Sequence, residues 1–131
     1  MTTIENLSKE QLEGILEAIP VEISFVDEND LVRFWNKHET RIFKRPVSVI
    51  GKSVRNCHPK RSVNKVEQIL SDFKSGERSS TEFWINLGDR KVYIRYFAVR
   101  DKADKYLGTL EATQDITEIQ GIQGEKRLLE Y

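Results

Sequence analysis

The sequence predicts an α+β domain: five antiparallel strands with helices inserted between the second and the third. Three stretches predict it. In residues 90–118, Val92, Ile94, Tyr96 and Ala98 alternate with Tyr93, Arg95, Phe97 and Val99. A polar run with Asp101 and Asp104 follows, and then a second alternating run, LGTLEATQD. Alternation in β-branched and aromatic residues around a turn is the pattern of a β-hairpin. Residues 21–27 (VEISFVD) and 31–36 (LVRFWN) flank Glu28-Asn29-Asp30 in the same way. Between these hairpins, Val63, Val66, Ile69, Leu70 and Phe73 recur at helical spacing.

In chain order, Ser8 and Gln11 can form a capping box for a first helix. Leu12, Ile15, Leu16 and Ile19 give it one apolar face, and Pro20 stops it. After the first hairpin comes a polar stretch, NKHETRIF, with Ile42 and Phe43 as its apolar residues. Pro46 suits the start of a short helix and Gly51 its end. Pro59 suits the first turn of the longer helix, which Gly76 ends. Residues 81–87 (TEFWINL) form the third strand, and Gly88-Asp89 turns it into the fourth. Asp115 with Glu118 reads as a capping box for a last helix carrying Ile119, Ile122, Leu128 and Leu129. Gly121 and Gly124 weaken that helix by about 1 kcal/mol each. The expected division is an N-terminal amphipathic helix at 1–20, a core at 21–117 and a C-terminal helix at 118–131.

Composition narrows the function. With 21 basic and 21 acidic side chains, no charge surplus points to nucleic acid or an anionic membrane as partner. No apolar run is long enough to span a bilayer, and the first residues lack the layout of a signal peptide. The single cysteine excludes an internal disulfide framework. A cytoplasmic protein is expected. One cysteine and two histidines suit a structural zinc site poorly.

The element order, Gly51 and Gly76 at their helix ends, and Asp115-Ile116-Thr117 after the Leu107-Gly108 strand together resemble the PAS domain family. The resemblance spans residues 12–119. Asn56-Cys57-His58-Pro59, with Phe83-Trp84-Ile85-Asn86-Leu87, is similar to a subgroup of PAS domains often fused to hemerythrin-like domains. No kinase, cyclase or DNA-binding segment is legible within these residues. The resemblance implies a PAS-like five-stranded sheet with inserted helices on one face and flanking N- and C-terminal helices. It implies a sensory or signal-transduction module that binds a small ligand or mediates protein–protein interaction. The ligand would sit between the inner sheet face and the inserted helices. A homodimer would form through the N-terminal helix and the outer face.

Several residues carry candidate chemistry. His58 could ligate haem iron from the start of the long helix, which would make the chain a gas or redox sensor. The alternative is a helix-capping His58 beside a small buried Cys57. A flavin is not expected: the light-sensing branch follows its Asn-Cys with Arg-Phe-Leu-Gln, and here His58-Pro59-Lys60 follows.

On the last strand, Leu110 and Ala112 share one parity and Thr109, Glu111 and Thr113 the other. Pattern alone turns the apolar parity inward. The match through Asp115 turns the threonine parity inward instead, so Glu111 would need a buried partner. The pocket would then have a polar wall suited to a small polar ligand. Val92, Ile94 and Tyr96, with Trp84 on the neighbouring strand, are expected to face it as well. Leu110 and Ala112 would join Ile15, Leu16 and Ile19 in a dimer surface. The Ile15→Glu variant is then expected to be monomeric, and an unchanged dimer by light scattering would remove that assignment.

Catalysis is not expected. Cys57 and His58 are adjacent, so their side chains point apart, and neither a phosphate-binding glycine loop nor a metal motif is present. A ligand-free dimerisation module with a filled core is the remaining alternative.

Overall fold

The computed structural model describes residues 3–57 and 60–131, and the side chains of all of these except 56, 57, 60 and 61. A short 3₁₀ turn, Ile4–Asn6, precedes helix α1, Lys9–Ala18. The capping box forms as expected: Gln11 N donates to Ser8 Oγ and Ser8 N to Gln11 Oε1, both at 3.0 Å. Strands β1 (Glu22–Asp27) and β2 (Val32–Trp35) make the first hairpin. Two 3₁₀ turns, Val47–Val49 and Val54–Cys57, lead to helix α2, Lys60–Ser75. Strands β3 (Ser80–Leu87), β4 (Arg90–Arg100) and β5 (Tyr106–Asp115) complete one antiparallel sheet in the order β2-β1-β5-β4-β3.

The sequence order alone leaves the sheet order open. The last strand enters the centre, where it pairs with both β1 and β4. Residue 111 therefore lies in the middle of the molecule, opposite Ser24 on one side and Tyr96 on the other. The core fills the space between the sheet's inner face and α2. Val26, Val32, Trp35, Val54 and Leu70 form its buried cluster, with Val49 and Val66 packed against them. Phe73 is buried on the same helix.

Charged residues hold the segment between β2 and the first 3₁₀ turn. Arg41 and Glu22 form an ion pair at 3.3 Å with side chains only 1% and 4% exposed. Arg41 Nε donates to the Phe43 carbonyl, Nη1 to the Ile23 and Asn36 carbonyls, and Nη2 to Ser24 Oγ. The Glu22 carboxylate accepts from the amides of Ile42 and Phe43. A segment with little apolar content is thus fixed by a saturated polar network.

Asn36 is fully buried and makes a second clamp. Its Oδ1 accepts from Ile23 N at 2.7 Å, and its Nδ2 donates to the carbonyls of Leu16 and Val21.

The expected C-terminal helix at 118–131 is not observed. A 3₁₀ turn, Ile119–Gly121, is all that follows the sheet. Asp115 is not a helix cap but the last residue of β5, where its Oδ1 accepts from the amide and hydroxyl of Thr117. Glu118 does not reach back to a cap; it and Asp115 share Arg90. That pairing, with the Thr117 bonds, holds the Asp115 carboxyl down at about 2. Beyond it, Ile122, Leu128 and Leu129 are exposed, so no packing offsets the two glycines, and so short a helix is marginal by itself.

Candidate functional site

The site lies between the inner sheet face and α2. An inner cavity of about 30 Å³, room for about two waters, has an apolar wall from Val26, Val54, Ile69 and Leu70. Its polar wall is Ser24, Arg45, Tyr96, Thr109 and Glu111. Arg45, Val66, Ile69, Tyr96 and Glu111 also line a larger cleft of about 1030 Å³, so the two spaces meet at these residues. The cleft continues past Phe43, Phe83, Ile85 and Ile94, with Lys44, Lys65 and Glu82 as further charged residues. Small-molecule sites commonly enclose about 300–1,000 Å³.

Glu111 is the polar centre. Its carboxylate has the partner that a buried charge requires: Arg45 Nη2 lies 3.5 Å from Oε1, with side chains 11% and 12% exposed. Thr113 Oγ1 donates to the same oxygen at 3.4 Å. Tyr96 lies directly across the ladder from Glu111. Burial, then the charge of Glu111, pushes the Tyr96 phenol well above its ordinary range, so it stays neutral. Arg45 Nε is buried and has no hydrogen-bond partner among the described residues.

The family comparison agrees with this architecture. A protein-family model described as "PAS domain" matches residues 12–117. The chain belongs to the PAS domain family. Its fold is shared with a C-terminal domain from Streptococcus mutans, which is 34% identical at a TM-score of 0.83 over 89% of this chain and 91% of that one. The PAS domain of Bordetella pertussis BvgS is 18% identical, with a TM-score of 0.62 over 86% and 88% of the two chains. A sensory box sensor histidine kinase from Vibrio cholerae is 14% identical, with a TM-score of 0.58 over 86% and 90%. No curated protein sequence matches the chain significantly. PAS domains are sensory and signal-transduction modules, and that is the coarse function of this one. No described helix is long and apolar enough to cross a membrane.

In this PAS domain, Ile94, Tyr96, Thr109 and Glu111 meet at the cavity and cleft as expected from the sequence. Thr113 is buried beside them and reaches the site through Glu111. Trp84 is a correction. It is 60% exposed and pairs with Tyr93 on the outer face, while its neighbours Phe83 and Ile85 line the cleft. The two-residue turn sets Leu87 opposite Arg90, so inward Ile94 and Val92 oppose Phe83 and Ile85. His58 and the side chain of Cys57 lie outside the described residues. Of the expected dimer residues, Ile15 is 45% exposed and Leu16, Ile19 and Leu110 are half-buried. Ala112 is buried within the chain itself, which leaves it little surface to give a partner.

Arg45 was not singled out in the sequence. A signal for it existed: an inward Glu111 demands a cation, and the basic run Lys44-Arg45 precedes Pro46 in the inserted segment.

Proposed function

We propose that this PAS domain is a sensory module that binds a small molecule in the cleft between α2 and the sheet, and that it is a binding module rather than an enzyme. One observation carries the reading: the cleft reaches inward to the half-buried Glu111–Arg45 pair with Tyr96 beside it. Apolar walls with a few convergent polar groups are the usual composition of a ligand site. The exposed Ile15 on α1 supports a homodimer as the signalling form, with the Ile15→Glu variant as its test.

A thermal-shift screen of small metabolites tests the ligand. A compound at a hundredfold its Kd adds about 2.7 kcal/mol to the native state, which raises Tm by about 10 °C for a domain of this size. The Ile69→Trp variant, which fills the wall shared by cavity and cleft, is expected to lose the response. If no compound moves the wild-type Tm, the ligand reading gives way to the dimerisation module.

A further inference from the structure

Arg41 and Arg45 are four residues apart; Arg41 is buried and the Arg45 side chain is 11% exposed, and they are used differently. All three side-chain nitrogens of Arg41 donate to acceptors that the fold supplies. Arg45 has an Nε with no partner among the described residues, and an Nη2 that stands 3.5 Å from its carboxylate. A charge-assisted N–H···O bond is about 2.7–2.9 Å long, so this pair is near but not closed. Glu111 meanwhile accepts from Thr113. The guanidinium therefore has more donors than the described residues employ, in a place where an unused donor is costly. It lines both the inner cavity and the cleft.

The charges around it point the same way. Lys44 and Lys65 line the cleft with Arg45, against Glu82 and Glu111. Three cations face two carboxylates there, so the lining of the cleft carries one positive charge in excess. Val66, Ile69, Phe83, Ile85 and Ile94 supply the apolar length of the cleft.

We propose that the ligand carries a carboxylate, which binds the Arg45 guanidinium where cavity and cleft meet, and an apolar body that lies along α2 and β3. This rests on the small-molecule reading above and names its chemical class. Arginine suits the role because its planar fork matches a carboxylate in a bidentate way.

Three matched probes decide it: 3-phenylpropionate, 3-phenylpropanol and 3-phenylpropylamine, titrated into the protein and followed by two-dimensional amide NMR. The carboxylate is expected to shift cleft resonances and to bind at least about tenfold more tightly than the alcohol, the scale of one charge-assisted hydrogen bond. The Arg45→Gln variant should bind carboxylate and alcohol alike. Should that variant not fold, Arg45→Lys keeps the charge but not the fork and should retain only part of the preference. Equal or tighter binding of the alcohol or the amine in the same cleft overturns the carboxylate and leaves the ligand site standing. Failure of all three probes at millimolar concentration also overturns it, and the metabolite screen then judges the ligand site separately.

Discussion

Replacing Arg41 with alanine is expected to destabilise the fold by about 3–5 kcal/mol, because it strands the buried Glu22 carboxylate without its countercharge. The carbonyls of Ile23, Asn36 and Phe43 and the Ser24 hydroxyl lose their shared donor at the same time. Desolvation depresses the Arg41 pKa, which shows what burial costs the ion and why its partners are numerous. Urea denaturation with an unchanged m-value measures the loss. A double replacement, Arg41→Met with Glu22→Leu, should recover part of it, since removing both charges leaves neither unpaired. A single Arg41→Ala variant that loses less than about 1 kcal/mol would show that the pair is no stronger than a surface contact.

The second large effect is expected at Gly108. Its φ is +153°, and an added Cβ would stand 2.6 Å from Phe25 Cζ and closer still to the Val26 carbonyl oxygen. That carbonyl belongs to β1, which pairs with β5 through this position, so it cannot retreat without breaking the ladder. Backbone strain of about 1–3 kcal/mol adds to a similar overpacking cost, so Gly108→Ala should lose about 2–6 kcal/mol. The β1–β5 contact would open at the end beside Asp27. A melting temperature equal to that of the wild type would contradict this geometry. The same residue helped place the family in the sequence, because a glycine in the strand before Asp115 has this close approach as its reason.

What the sequence revealed divides along a physical line. Strand existence was legible because alternation survives in 21–27 and 92–99 whatever packs on them. The orientation of β5 was not legible from pattern. Leu110 and Ala112 carry the apolar parity, yet Thr109 and Glu111 face the cavity. Hydrophobic patterning assumes a dry core, and here the central strand faces a polar site on one side. Family register gave the correct side where periodicity gave the wrong one. Trp84, with an indole N–H that wants a partner, was expected at the pocket too, and the turn geometry, already present in Gly88-Asp89, excluded it. The segment around Arg41 was illegible for another reason. Charged residues are normally read as solvated, and nothing local marks an arginine that will pair with a glutamate nineteen positions earlier. The C-terminal residues had a helical pattern but no surface to bury it against.

The Asn36 clamp bears on where this domain begins. Its amide group joins α1 through the Leu16 carbonyl to the start of β1 through Ile23 and Val21. A chain begun at Val21 would keep every strand yet orphan a donor on a fully buried side chain. The cooperative unit therefore does not coincide with the sheet. It extends back into the last turn of α1, so that this end of the helix melts with the strands rather than ahead of them, as a free leader would.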